Sequence, residues 1–221
     1  MIPINLVVFD MVGTTVEASP KIPEAFLTAF AISGIELTAD DVVSIRGKSK
    51  RQAIAELLAD KCPDTPQLAD QIYDAFKSSL LDRYRHGPVN AIAGAEATFR
   101  WCQVNGIGVA LTTGFDRELA MLLVDKLGWG AIVDTTVCND DVANGRPAPD
   151  LIMTAMERLQ QIEVLGVASV GDTVSDLEAG ANAGTGINVG VLSGAHTRQQ
   201  LLSVSHTALI DSVADLPALL V

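Results

Sequence analysis

The chain has 221 residues, 48% of them hydrophobic and 19% charged, with a formal net charge of −12. That composition supports one large domain, or one domain with an insert, and excludes a disordered chain. The acidic balance argues against nucleic acid or an anionic membrane as partner, so a phosphate-bearing substrate would need locally placed Lys or Arg. The three cysteines, Cys62, Cys102 and Cys138, show neither zinc-ligand spacing nor a disulfide framework, which predicts free thiols in a reducing cytoplasm. No signal peptide follows Met1, and no apolar run reaches about 18 residues, so no membrane span is expected and a cytoplasmic location is.

Short runs apolar on both faces predict buried parallel strands at Asn5–Phe9, Gly108–Leu111, Thr135–Cys138, Ala168–Val170 and Gly186–Val191. Helical segments fall between them at Ala95–Asn105, Arg117–Leu127, Asp150–Gln160 and Ser175–Ala183. This alternation predicts an α/β fold, a parallel sheet of five or six strands with helices on both faces. The region from Pro20 to Pro88 breaks the pattern. Glu24–Ser33 is amphipathic, Thr38 and Ser49 are candidate N-caps, and Leu68–Tyr84 reads as a long helix. Roughly 65 helical residues are too many for an ordinary connection. The expected organisation is a core of residues 1–17 and 89–221 with an inserted helical cap, residues 18–88, hinged near Gly13-Thr14-Thr15 or Val16–Ser19 and near Gly87-Pro88-Val89.

Two strand ends carry carboxylates. Asp10 follows Leu6-Val7-Val8-Phe9, and Asp172 and Asp176 follow Ser169-Val170-Gly171. Strand ends of an open parallel sheet meet in one crevice, where gathered carboxylates repel unless a cation joins them. Hard oxygen ligands suit Mg²⁺, which keeps waters and substrate phosphate in its shell. The expectation is a magnesium-dependent phosphoryl-transfer site with Asp10 as nucleophile. Asp176, one helical turn after Asp172, either ligates beside it or supports it from behind. His86, His196 and His206 adjoin no motif and read as surface or packing residues.

Four separated motifs occur in one order: Asp10-Met11-Val12-Gly13-Thr14-Thr15, Thr112-Thr113-Gly114, Gly145-Arg146-Pro147, and Gly171-Asp172-Thr173-Val174-Ser175-Asp176. With the helical insert they make the chain similar to the haloacid dehalogenase-like (HAD) superfamily over nearly its whole length. Within it the chain resembles the phosphonatase (phosphonoacetaldehyde hydrolase)-like enzymes. The resemblance implies a Rossmann-like core with an α-helical cap and hydrolysis through an aspartyl phosphate on Asp10. It implies Mg²⁺ held by Asp10, Asp172, Asp176 and the backbone carbonyl of Val12. Thr113 would hydrogen-bond a phosphoryl oxygen and Arg146 would offset its charge. Thr14, Gly47, Lys50, Thr113, Gly114 and Arg146 would contact a small phosphorylated or phosphonate metabolite, in a monomer or homodimer.

Val12 stands where phosphatases of this superfamily have a second Asp that protonates the leaving alkoxide. Lys50, in Gly47-Lys48-Ser49-Lys50, stands where phosphonatases have a Schiff-base lysine. Their cap methionine and histidine are Arg46 and Ala53 here, and the aromatic after Thr-Thr-Gly is Phe115. Three functions follow. Lys50 could form an imine with an aldehyde phosphonate whose C–P bond then breaks. It could instead clamp the anion of a small, activated or unusual phosphate ester in a phosphatase. Or the chain could bind a phospho-ligand without turnover.

Overall fold

The computed structural model describes residues 3–45 and 49–220. In chain order the elements are β1 (Leu6–Asp10), α1 (Lys21–Ile32), α2 (Ala39–Ser44), α3 (Lys50–Lys61), α4 (Ala69–His86), α5 (Ala95–Val104), β2 (Gly108–Thr112), α6 (Arg117–Leu127), β3 (Thr135–Val137), α7 (Asp150–Arg158), β4 (Val167–Gly171), α8 (Val174–Ala183), β5 (Ile187–Val191), α9 (Arg198–Leu201), β6 (Ala208–Ile210) and α10 (Leu216–Leu220). The chain forms two compact units, Met1–Ala18 with Val89–Val221, and Ser19–Pro88.

The first unit is built on a six-stranded sheet of order β3-β2-β1-β4-β5-β6, parallel at every pairing. All five residues of β1 are buried, as a central parallel strand covered on both faces requires. Side chains alternate across it. Leu6 and Val8 join Leu151, Ile152, Ala155 and Met156 of α7 on one face. Phe9 packs edge-on against Phe99 of α5 on the other, with ring centroids 5.2 Å apart, and Phe99 does the same with Trp129 at 5.1 Å. From β1 the chain runs outward through β2 and β3 on one side and through β4, β5 and β6 on the other. The order therefore reverses between β1 and β4, and the crevice beyond their carboxyl ends is the ligand position of such sheets. Sheet edge β6 has no counterpart among the five apolar runs of the sequence, because its three residues are only half-buried.

In the second unit the described residues form helices and no strand. Ala25, Phe26, Ala29 and Phe30 of α1 form one apolar stripe. The facing stripe on α4, Ile72, Phe76, Leu80 and Tyr84, recurs every four residues. Phe26 and Phe76 meet with centroids 4.4 Å apart. Thr38 caps α2 with a reciprocal capping box to Asp41, and Ser49 caps α3 by accepting the Gln52 amide. Gly13, Thr14 and Thr15 do not form a joint. Gly13 N–H donates to the Val16 carbonyl, and the amides of Thr14, Thr15 and Val16 all donate to Met11. Glu17 N–H donates to the Asn90 carbonyl and Ile92 N–H to the Thr15 carbonyl, which ties the segment to the returning chain, and the division falls after Ala18 and before Val89.

Candidate active site

The site stands on the ends of β1, β2 and β4. Register pairs Asp10 with Thr112 on one side, and Phe9 with Val170 on the other. Asp10 is thus level with Gly171, and Asp172 begins the loop beyond. Asp10, Asp172 and Asp176 are all buried, and one carboxylate oxygen from each lies within 4.8 Å of the others.

Arg146 faces these acids. Arg146 Nη1 lies 2.6 Å from Asp10 Oδ1 and 2.6 Å from Asp176 Oδ1, while Nη2 donates to Thr112 Oγ1 at 2.8 Å. Burial disfavours its charge, but Asp176 and Asp10 more than offset that and hold it protonated. Burial likewise raises Asp10, and the Asp176 charge adds to it, so that despite Arg146 its pKa sits at about 6. Asp172 is raised well above the carboxylate range by burial and by the charges of Asp10 and Asp176.

The donor set fits a hard cation. Asp176 Oδ2 is fixed by the Thr173 amide at 2.9 Å and hydroxyl at 2.6 Å. Its Oδ1 is buried and accepts no hydrogen bond, although Arg146 Nη1 is close. A buried carboxylate oxygen that has an ion pair but no hydrogen bond, beside two further acids, fits an oxygen-coordinated metal ion.

Asp172 is positioned tightly. Thr14 Oγ1 donates to its Oδ1 at 3.2 Å and the Ala195 amide to its Oδ2 at 2.7 Å. Two backbone segments press on the carboxylate. A Cβ on Gly13, whose φ is +103°, would collide with it, and so would a Cβ on Gly194. Thr113 is buried just past β2. Its amide donates to Val137 and its hydroxyl oxygen accepts the Phe115 amide at 3.2 Å, leaving the hydroxyl proton for another acceptor. Gly114 is exposed, with open space where a Cβ would stand. Val12 is half-buried in the turn after β1.

Asp10, Thr14, Thr113, Arg146, Asp172 and Asp176 thus all belong to the sheet unit. Lys50 opens α3 in the helical unit and is half-buried. Gly47, with Arg46 and Lys48, lies outside the described residues. Arg51 is engaged within its own unit, stacked 4.0 Å over the Tyr73 ring and paired with Asp70 at 2.7 Å.

Residues 4–184 match the model of a protein family described as haloacid dehalogenase-like hydrolase. The chain belongs to the haloacid dehalogenase-like hydrolases. It is 30% identical to a phosphonoacetaldehyde hydrolase of Latilactobacillus sakei over 226 residues, 96% of this chain and 82% of that one. It is 31% identical to one of Bacillus cereus over 207 residues, 86% and 76% of the two. Among solved structures it is similar to a phosphonoacetaldehyde hydrolase-like protein from Oleispira antarctica. There the TM-score is 0.86, identity is 25%, and 99% and 91% of the chains are covered. CbbY from Rhodobacter sphaeroides, solved with phosphate, shares the fold at TM-score 0.82 and 21% identity, with 96% of each chain covered.

Several residues around this hydrolase site hold roles that the motif reading does not assign. Thr112 anchors Arg146, and Asn182 Nδ2 holds the Pro147 carbonyl at 2.8 Å. Ser193 Oγ donates to the Gly13 carbonyl at 2.8 Å. His196 corrects the reading of the histidines as bystanders, because its Nδ1 accepts the Val174 amide at 2.9 Å, between Asp172 and Asp176. The glycine and histidine that follow β5 could have been flagged only by asking which loop lies beside the end of β4.

Proposed function

We propose that this hydrolase is a magnesium-dependent phosphonatase-like enzyme that cleaves the C–P bond of a small aldehyde phosphonate such as phosphonoacetaldehyde. The observation that carries the reading is the buried cluster of Asp10, Asp172 and Asp176 with Arg146 at the β1–β4 switch, in a chain with Val12 beside its nucleophile. The similarity to phosphonoacetaldehyde hydrolases, and Lys50 at the start of α3, support the substrate class.

Asp10, Asp172, Asp176 and the Val12 carbonyl would hold Mg²⁺, which supplies charge neutralisation for the phosphoryl oxygens. The neutral amine of Lys50 condenses with the aldehyde, releasing water and giving an iminium. An oxygen of Asp10 attacks phosphorus in line. The C–P bond breaks, and its electron pair enters the iminium to form an enamine. No alkoxide leaves, so no acid is needed at position 12. Protonation and hydrolysis of the enamine return Lys50 and release the aldehyde product. Water then cleaves the aspartyl phosphate. Arg146 and the Thr113 hydroxyl bind the equatorial oxygens, whose charge changes most. In this reading Lys50 comes from the helical unit.

The replacements at Arg46, Ala53 and Phe115 favour a second reading, in which Lys50 clamps the distal anion of a phosphate ester. The test is phosphate release from phosphonoacetaldehyde beside a panel of phosphate esters, with and without Mg²⁺. Preferred turnover of phosphonoacetaldehyde is the expected outcome. Turnover of esters alone would replace this reading by the second, and full activity in EDTA would remove the metal.

A further inference from the structure

We propose that His196 is a positioning residue that holds the start of α8, and with it Asp172 and Asp176, in metal-ligating geometry. The inference rests on the reading of those acids as a metal site.

Val174 is the first residue of α8, and its amide has no acceptor within the helix. His196 Nδ1 supplies that acceptor at 2.9 Å. The same residue's amide reaches back to the Asp172 carbonyl at 3.4 Å. His196 therefore grips the chain on both sides of Thr173, between two of the three acids. The rest of its loop acts on the same groups. Ala195 donates to Asp172 Oδ2, Ser193 holds the Gly13 carbonyl, and Gly194 lies too close to the Asp172 carboxylate for any side chain.

His196 is half-buried, so the inference does not depend on filling a core. Its loss would strand the Val174 amide and free the start of α8 to shift. Ligating oxygens tolerate displacements of only about 0.5 Å, and losing an outer partner of a ligand typically costs about 10–100-fold in metal affinity.

Mn²⁺ binding to the metal-free protein, followed by electron paramagnetic resonance, tests this without turnover. His196→Ala should weaken binding about tenfold with an unchanged circular dichroism spectrum. His196→Asn should restore wild-type affinity, because its Oδ1 stands where Nδ1 does and accepts the same amide. Should the alanine variant not fold, His196→Leu keeps the bulk without the acceptor and should bind as weakly. Wild-type affinity in the alanine or leucine variant would overturn the inference. So would an asparagine variant as weak as alanine. Failure of the wild-type protein itself to bind Mn²⁺ would overturn the metal reading and this inference with it.

Discussion

On the proposed reading, Val12 separates this site from that of an ordinary phosphatase. General acid–base help is typically worth about 10²–10⁴-fold, and valine offers none. Val12→Asp should therefore raise hydrolysis of simple phosphate esters by about 10²-fold or more, measured as kcat/KM. No gain would mean that something other than Val12 excludes those esters. Gly194 gives a second residue-scale test. Its missing side chain leaves the space the Asp172 carboxylate fills. Gly194→Ala should abolish most metal-dependent activity while the sheet core stays folded, read by activity and circular dichroism together. Asp10, Asp172 and Arg146 were legible in the sequence because motif spacing and strand ends mark them. Thr112 and His196 were not, because their roles come from distant partners, Arg146 and Val174.

The elements that carry the site are fixed by local chemistry that differs along the chain. Strands β1 and β4 were legible as apolar runs because both faces are covered. The caps at Thr38 and Ser49 were legible because a hydroxyl before a helix has one dominant use. Strand β6 was not, because an edge strand need not be apolar on both faces. The segment after β3 is held by ions. Asp141 lies 2.5 Å from Arg117 of α6 and 3.1 Å from Arg158 of α7, and its oxygen also accepts the Cys138 amide. Burial pushes Asp141 up, but these donors outweigh it and hold its pKa at about 2. A folded value below the unfolded one stabilises above about pH 4, and this contribution is lost as pH falls towards 2. Asp141→Asn should therefore lower the unfolding midpoint at pH 7, and the gap from wild type should close near pH 2. An equal gap at both pH values would contradict this.

At the scale of the molecule, a metal bound by the acid cluster would couple folding to metal. Burial raises Asp10 to about 6, and Asp172 moves the same way, so ionising them costs folded stability. The sign is opposite to that of Asp141. The penalty is full above the folded pKa and fades as pH falls towards the unfolded value near 4. In EDTA the protein should gain on the order of 1 kcal/mol from Asp10 alone between pH 7 and pH 5. Mg²⁺ should raise the melting temperature more at pH 7 than at pH 5. An effect of Mg²⁺ independent of pH would place the ion elsewhere.

On the proposed function, Lys50 makes this hydrolase a C–P-cleaving enzyme. Borohydride added with phosphonoacetaldehyde, followed by peptide mass mapping, tests it most directly. Reduction should trap a two-carbon adduct on Lys50 and inactivate the enzyme, and Lys50→Arg, which keeps the charge but does not readily form an imine, should be neither labelled nor active. An unlabelled wild-type enzyme, together with a Lys50→Arg variant that keeps most of its activity, would contradict the claim and leave Lys50 as an anion clamp.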